Sequence, residues 1–212
     1  MDKKVLRNLS YGVYVATTKD NDKNVGCVAN SVMQVTSSPS TIAISINHDN
    51  YTNKCIKESN MFAVSILKED SNPKIIGEFG FKTSKDNDKF NEIDYKLEEN
   101  LPIIKDSCGY FICKVVNIME TSTHTVFLGE IVKMGDYTND NPMTYKYYHE
   151  NLKGTSPKNA PTYQENSEVN EEKTIKKWKC KICGYVYEGE KVPEDYICPI
   201  CGQPHTEFYE IN

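Results

Sequence analysis

The sequence predicts a mainly β protein in two parts, an antiparallel barrel with short helices followed by a small C-terminal metal-binding domain. Two observations predict this fold class. Stretches that alternate apolar and polar residues recur through most of the chain, and this period-two pattern is typical of half-buried strands. Near the C-terminus the pattern gives way to two C-x-x-C-G motifs, which indicate a small domain built around a metal ion.

Five strands and two helices can be placed in the larger part. One helix should begin near Asn50 or Thr52 and run through Ile56. A second should have Asn72 as its cap and Pro73 as its first residue, because proline is favoured there. Many strands with a few short helices favour an antiparallel barrel. The predicted strands are 9–17, 41–47, 61–67, 109–119 and 123–134.

Composition excludes several classes of function. The 212 residues carry a net charge of −5, so nucleic acid and anionic membranes are poor partners. The sequence has no apolar run near the ~18 residues of a membrane span, and its N-terminus does not resemble a signal peptide. We therefore expect a cytoplasmic protein. No strand is followed by a G-x-G-x-x-G motif, which argues against a Rossmann dinucleotide site.

The domain boundaries follow from a change in composition. The segment 154–176 is polar, has two prolines and lacks apolar periodicity, so it is predicted to be a flexible linker. It separates a barrel domain at 1–153 from a metal domain at 177–212. The linker could let the metal domain swing between two partners, or it could be a plain spacer.

Four cysteines form the predicted metal site. Cys180 and Cys183 make one pair, Cys198 and Cys201 the other, with 14 residues between the pairs. Four thiolates make a tetrahedral cage, which suits iron or zinc. A segment this short cannot bury enough apolar surface to fold alone, so the metal should act as its core.

The residues around these cysteines resemble the rubredoxins. The pattern is W-x-C-x-x-C-G-Y-x-Y, then C-P-x-C-G, then a late phenylalanine, and the short gap is similar to the rubredoxin-type module of rubrerythrins. This resemblance implies one iron ion in the four-cysteine site, surrounded by the aromatic side chains of Trp178, Tyr185, Tyr187 and Phe208. Such a shell excludes water from the iron site and thereby influences the reduction potential of the iron. A structural zinc ribbon is the alternative.

The larger part resembles the flavin-reductase-like family of FMN-binding split barrels. The motifs are A-N-S-x-x-x-V-T-x-x-P beginning at Ala29, a strand ending S-x-N at Asn47, S-T-H-T-V-F-L-G-E around His124, and N-P-M-x-Y-x-x-Y beginning at Asn141. The resemblance implies a homodimer with FMN at the subunit interface. It also implies NAD(P)H as the substrate that reduces the flavin.

The same resemblance assigns roles to individual residues. Thr52 would hold the phosphate, in agreement with the free N–H groups and positive dipole of a helix N-terminus. Lys89 would neutralise the phosphate and Ser84 would lie in the same loop, whose family pattern this chain matches only in part. His124 would line the nicotinamide side of the flavin as the catalytic residue. The ring and ribityl chain would contact Ala29, Asn30, Ser31, Val32, Ser45, Ile46 and Asn47.

Each of these residues has a structural alternative. A lone serine or threonine is as often a helix cap or a solvent-facing strand residue. A histidine on a strand, such as His124, is often a satisfied structural group, and an isolated lysine such as Lys89 is usually solvated. The clustering of the motifs favours the functional interpretation.

Fusion of the two modules resembles the high-molecular-weight rubredoxins. That resemblance implies transfer of electrons from NAD(P)H through FMN to the iron, and on to a flavodiiron protein that reduces oxygen or nitric oxide. A flavin can accept a hydride and release electrons singly, which joins a two-electron donor to a one-electron centre. The alternatives are a flavoredoxin-like carrier without nicotinamide turnover, a flavin reductase with a structural zinc ribbon, and a flavin-dependent sensor.

Overall fold

The structure is a computed structural model that describes residues 3–152 and 176–211, so most of the predicted linker lies outside the described residues. The helices are α1 (Tyr51–Ser59), α2 (Pro73–Phe81) and α3 (Tyr145–Glu150), with short 3₁₀ segments at Lys3–Asn8 and His205–Glu207. The strands are β1 (Tyr14–Asp20), β2 (Lys23–Ala29), β3 (Val32–Ser37), β4 (Ser40–Asn47), β5 (Met61–Ile66), β6 (Tyr95–Glu98), β7 (Leu101–Ile104), β8 (Gly109–Glu120), β9 (His124–Asp136), β10 (Lys177–Cys180), β11 (Val186–Glu188) and β12 (Phe208–Ile211).

Seven strands form one antiparallel sheet in the order β2-β1-β5-β8-β9-β4-β3. β2 and β3 follow each other in sequence but lie at opposite edges of this sheet. Only Asn30 and Ser31 separate them, and two residues span less than ~11 Å between the strand ends. The sheet must therefore curl until its edges meet, which confirms the predicted barrel. The seam of the barrel lies at Asn30–Ser31.

Four of the five predicted strands match β4, β5, β8 and β9 to within two residues at each end. The first prediction, 9–17, was wrong in its start, because β1 begins at Tyr14. The residues before it pair with the end of the domain instead. Tyr145 donates its backbone N–H to Tyr11 O at 2.7 Å, and Gly12 bridges Thr144.

Both predicted helix starts are confirmed. The side chain of Asn50 accepts a hydrogen bond from Thr52 N at 3.1 Å and caps α1, which extends to Ser59. Asn72 caps α2 and Pro73 is its first residue. The third helix, α3, was not predicted as a helix, although its cap Thr144 lies inside the N-P-M-x-Y-x-x-Y motif. None of the described helices is long and apolar enough to cross a bilayer.

The metal domain packs on the barrel domain through a continuous apolar cluster. Ile75, Ile76 and Phe79 on α2 belong to this cluster, together with Ile200 and Phe208 of the metal domain. Gly77, on the same helix, lies against the backbone of Ile200 and Cys201. The metal domain itself is a three-stranded sheet in the order β11-β10-β12. Helix α2 therefore takes part in the contact between the two domains.

Candidate functional site

The four cysteines of the C-x-x-C motifs form the predicted cluster. Their sulfur atoms all lie within 4.8 Å of one another. Cys183 Sγ is 3.4 Å from Cys198 Sγ, and Cys180 Sγ is 3.6 Å from Cys201 Sγ. A tetrahedral ion with metal–sulfur bonds of ~2.3 Å needs sulfur atoms about 3.8 Å apart. The donor set and its spacing therefore fit a four-coordinate iron or zinc ion.

The two knuckles repeat one backbone arrangement. Gly184 and Gly202 have φ of 75° and 69°, in the left-handed region that favours glycine. Their N–H groups donate to Cys180 O and Cys198 O at 2.9 Å in both knuckles. This turn folds the chain back, so that both cysteines of each motif face the same point.

Backbone N–H groups also face the sulfur atoms. In the first knuckle the amides of Cys183 and Tyr185 contact the thiols of Cys180 and Cys183. The second knuckle repeats this with the amides of Cys201 and Gln203. Hydrogen bonds from N–H groups to sulfur favour the thiolate, which is the form that binds metal. Such hydrogen bonds also influence the reduction potential of an iron site.

Aromatic side chains surround the cluster, as the sequence predicts. Tyr185 and Tyr196 both pack edge-on against Phe208, and Tyr196 Oη donates to Tyr185 Oη at 3.2 Å. Trp178 Nε1 donates to Gly189 O at 3.0 Å, which ties the indole to the metal domain. Tyr196 and the buried Ile200 were not singled out from the sequence. Three of the four cysteines are fully buried, whereas Cys201 is partly exposed.

A cavity of about 790 Å³ lies between the barrel and the metal domain. Its barrel side comes from the end of β2, the end of β4, the N-terminus of α1, the C-terminal half of α2 and helix α3. Its other side comes from residues 179–184 and Tyr209 of the metal domain. Cys180 and Cys183 are part of this wall. The cavity therefore borders two of the four residues of the cysteine cluster.

Six of the eleven residues predicted for the flavin and its nicotinamide partner line this cavity. They are Ala29, Asn30, Ser45, Ile46, Asn47 and His124. Asn47 and His124 are cross-strand partners in the β4–β9 ladder, so the two motifs that carried the resemblance meet side by side. His124 Nδ1 lies 2.8 Å from Thr123 Oγ1, which orients the ring. The residue as a whole is only partly buried, whereas its ring atom Nε2 is buried.

Ser31 and Val32 lie at the seam of the barrel rather than on the cavity wall. Ser31 accepts a hydrogen bond from Ser45 N at 3.0 Å through its backbone carbonyl. This bond joins the end of β2 to β4, both of which reach the cavity. The assignment of Ser31 and Val32 to the flavin stays a prediction.

Thr52 lies in the first turn of α1, next to the cavity-lining Asn50 and Tyr51. Its side chain is fully buried, and its Oγ1 makes no hydrogen bond of ordinary geometry with the described residues. The thiol of Cys27, which also lines the cavity, lies beside it. An unsatisfied buried hydroxyl at a helix N-terminus fits a phosphate oxygen as its partner. The assignment of Thr52 to a phosphate stays a prediction.

Ser84 and Lys89 hold their loop against β2. Ser84 Oγ accepts from Gly26 N at 3.2 Å and donates to Gly26 O at 3.0 Å, and Lys89 Nζ donates to the same carbonyl at 2.9 Å. Lys89 is only 2% exposed, and burial lowers its pKa to about 8. Neither residue lines the cavity, but Lys89 lies close enough to Cys27 for their charges to interact. A role of either in phosphate binding remains untested.

The structure adds residues that sequence reasoning missed. Tyr145 and Tyr148 of α3 line the cavity, and both are fixed positions of the N-P-M-x-Y-x-x-Y motif. Tyr148 is buried, and burial is the main reason that its pKa is raised, with the nearby Tyr145 and the cluster cysteines adding to the effect. Tyr148 therefore lies between the cavity and the sulfur cluster. Lys179 and Lys181 also line the cavity, and no sequence motif marks them.

Sequence comparison matches this architecture. Residues 6–156 match the flavin reductase like domain, and residues 178–209 match the rubrerythrin, rubredoxin-like domain. The chain belongs to the flavin reductase-like family and carries a C-terminal rubredoxin-like domain. It is an electron-transfer oxidoreductase with a flavin-binding domain and a four-cysteine iron site of the rubredoxin type.

Relatives include the high molecular weight rubredoxin of Moorella thermoacetica, which is 38% identical over the full length of both chains. The ferric-chelate reductase (NAD(P)H) of Archaeoglobus fulgidus is 36% identical over 78% of this chain and 99% of its own. Among solved structures, the NADH:FAD oxidoreductase SgcE6 of Streptomyces globisporus superposes with a TM-score of 0.62. It is 26% identical and covers 67% of this chain and 84% of its own. These similarities confirm the two-module architecture that the sequence motifs predict.

Proposed function

We propose that the chain passes electrons from NAD(P)H through FMN in the cavity to the cysteine-bound iron, and from the iron to a protein acceptor. One observation carries this proposal. Five of the ten residues predicted to contact flavin line the same cavity as two of the four metal ligands, Cys180 and Cys183. A ligand in the cavity would therefore lie next to two of the residues that bind the metal.

Nicotinamide as the electron donor is supported by two relatives. The names of the Archaeoglobus and Streptomyces proteins specify NAD(P)H and NADH as substrates. In this chain, His124 and the neighbouring Asn47 offer polar groups on the cavity wall where a nicotinamide could lie against the flavin. Their part is to position the donor, because hydride transfer depends on orientation rather than on a strong acid or base.

FMN rather than FAD is favoured by the environment of Thr52. Its buried hydroxyl and the N-terminus of α1 offer donors for one phosphate group. The hydrogen bond between Tyr51 Oη and Asp20, at 2.6 Å, places a carboxylate close to this helix end. This carboxylate repels any phosphate, so the helix end itself must supply the donors. A single terminal phosphate matches the one set of donors at Thr52 and the α1 N-terminus, whereas a pyrophosphate would need donors for two phosphate groups.

The protein's own contribution to the final step is to exclude water. FMN supplies the conversion between two-electron and one-electron transfer when bound. Tyr148, Ile76 and Phe79 cover the boundary between the cavity and the cluster with buried side chains. A dry, low-dielectric boundary lowers the solvent reorganisation that accompanies electron transfer.

A homodimer is supported by apolar side chains on the outer surface of the barrel. Seven large hydrophobic residues of β3, β8 and β9 are at least 38% exposed. Exposed apolar side chains in such number on one sheet are typical of a protein interface. Their exposure in one chain fits a second copy that covers them. The residues are Met33, Val35, Val116, Ile118, Met119, Val132 and Met134.

The acceptor is proposed to be a flavodiiron protein that reduces oxygen or nitric oxide in the cytoplasm. Cys201 is the most accessible metal ligand, so an acceptor would approach the second knuckle. Exposed carboxylates, including Glu190, Glu194 and Asp195, lie on the same domain. An acceptor with a basic patch would be attracted to this surface, and its association would weaken as salt rises.

Anaerobic titration of the purified protein with NADH tests the proposal. We expect loss of both the flavin and the ferric–sulfur absorbance with about 1.5 equivalents of NADH per chain, because FMN takes two electrons and iron one. A flavin that stays oxidised would show a carrier without nicotinamide turnover. If the purified protein holds zinc and no iron, the alternative function is correct, namely a flavin reductase with a structural zinc ribbon.

A further inference from the structure

The lysines of the metal domain fall into two groups. Residues 176–211 include five lysines. Three of them pair with carboxylates of the same domain, namely Lys176 with Glu210, Lys177 with Glu188 and Lys191 with Glu194. The other two, Lys179 and Lys181, flank the metal ligand Cys180 and line the cavity. Neither has a carboxylate within ion-pair distance in the part of the chain that the structure describes.

These two lysines lie in a domain whose net charge is negative. Residues 178–212 carry six acidic residues against three lysines, yet two of those three lysines face the cavity. The cavity-lining residues include one carboxylate, Asp49, and one further lysine, Lys82, which is already paired with Glu78. The metal domain therefore presents two ammonium groups to the cavity, on either side of the metal ligand Cys180, although the domain as a whole is acidic.

We infer that Lys179 and Lys181 bind phosphate groups of the ligand that occupies the cavity, so that the metal domain completes the cofactor site. This inference rests on the proposed function. Two ammonium groups on the wall of one cavity are suited to a phosphate ester, because a hydrogen bond between charged groups is stronger than one between neutral groups. The phosphate belongs either to the flavin or to the nicotinamide dinucleotide.

Binding of a phosphate by Lys179 and Lys181 would also strengthen docking of the metal domain on the barrel. If the phosphate contacts lysines that belong to the metal domain, the ligand holds that domain against the barrel. By linkage, docking and ligand binding then strengthen each other by the same factor. The cluster is thus held next to the cavity most firmly when the cavity is loaded.

The test compares the double variant Lys179→Gln/Lys181→Gln with the control Lys176→Gln/Lys177→Gln. Both variants remove two positive charges at or next to β10. The control lysines pair with carboxylates on the surface, where ion pairs contribute little to stability. Ferric absorbance first shows that both variants hold iron. FMN and riboflavin are then titrated into the flavin-free proteins, and the KM for NADH is measured on the loaded proteins.

If the two lysines bind the phosphate of the flavin, the Kd for FMN should be about tenfold higher in the double variant and unchanged in the control. The Kd for riboflavin, which has no phosphate, should be the same in all proteins. A dinucleotide partner predicts unchanged flavin binding and a KM for NADH that rises about tenfold. Unchanged values for both ligands, or equal changes in the control, would overturn the inference and leave the proposed function standing. Wild-type protein that binds no flavin would instead overturn both. If the double variant holds no iron, the two single variants give the same comparison.

Discussion

The backbone carbonyl of Ile200 occupies the space that a side chain on Gly77 would need. Gly77 lies on α2, whose neighbouring apolar residues belong to the cluster shared with the metal domain, and Ile200 lies in the second cysteine knuckle. The absence of a side chain at position 77 therefore lets the knuckle approach the helix backbone. This contact brings the sulfur cluster to the edge of the flavin cavity.

Gly77→Ala should separate the metal domain from the barrel. The added methyl group would overlap a backbone atom, which cannot move aside as a side chain can. We expect iron and flavin to remain bound and reduction of the flavin by NADH to continue, while reduction of the iron slows at least about tenfold. Stopped-flow absorbance separates the two steps, and X-ray scattering reports the loss of compact docking.

Gly80→Ala is the matched control on the same helix. A Cβ on Gly80 would lie 3.7 Å from Val28 Cγ2, an ordinary contact, and no atom of the metal domain is among its nearest neighbours. Its scattering profile should match that of the wild type. If both variants gave the scattering profile of separated domains, a change in the helix itself, rather than the lost contact with Ile200, would be the cause.

Cys183→Ser should remove the iron and leave the flavin domain folded. A hydroxyl is a poor replacement for a thiolate in a four-thiolate site, and a small domain whose core is its metal loses its fold with the ion. Metal analysis should show less than about one tenth of the wild-type iron, with the flavin still reduced by NADH. Cys108→Ser is the control, because Cys108 only donates to Asp140 O and a serine keeps that donor. Retention of iron in the Cys183 variant would contradict the assigned ligand set.

Thr52→Val should weaken FMN binding and spare riboflavin. Valine keeps the shape of the side chain but removes the buried Oγ1 that has no ordinary hydrogen-bonding partner among the described residues. Loss of one hydrogen bond to a charged phosphate corresponds to a Kd about tenfold higher for FMN. Fluorescence titration of the flavin-free protein measures both ligands. Thr52→Ser keeps the hydroxyl and should bind FMN as the wild type does, and equal losses for FMN and riboflavin would show that the phosphate lies elsewhere.

The buried ammonium group of Lys89 predicts a pH dependence of stability. Burial lowers the pKa of Lys89 from its ordinary value of 10.5 to about 8 in the folded chain. Below about pH 8 both states hold the proton, and the buried charge destabilises the fold in full. Between pH 8 and 10.5 the folded chain releases the proton while the unfolded chain keeps it, so the free energy of unfolding rises with pH.

Comparison with Lys89→Met isolates this effect, because other titrating groups are common to both proteins. The stability of the variant relative to the wild type should fall by about 3 kcal/mol between about pH 8 and about pH 10.5. Urea unfolding of the flavin-free proteins at several pH values measures this difference. A difference that does not change with pH would mean that Lys89 keeps its ordinary pKa in the folded chain.

Local signals explain why much of the fold could be predicted from the sequence. Asn72 followed by Pro73 specifies a helix start through groups that lie within one turn, and the structure places α2 there. The cysteine knuckles are equally local, because each glycine and its two cysteines form one turn. Alternation along β9 reflects burial of one face and needs no knowledge of the partner strand.

The errors arise where distant residues decide the structure. The segment before β1 alternates as a strand does, but Tyr11 and Gly12 pair with residues around α3, more than 130 positions away. Likewise, nothing near Lys179 marks it as a cavity residue, because that role depends on packing across a linker. Ser84 and Lys89 lie in a loop that matches the family motif only in part. Their polar atoms bind the backbone of Gly26, and their assignment to the phosphate stays a prediction.

Stopped-flow mixing with NADH under anaerobic conditions tests the central claim most directly, with protein that contains one flavin and one iron per chain. We predict that the flavin absorbance falls first and the ferric–sulfur absorbance follows, at a rate that does not depend on protein concentration. Such a rate shows transfer within one docked assembly. An iron that stays oxidised beside a fully reduced flavin would contradict the account.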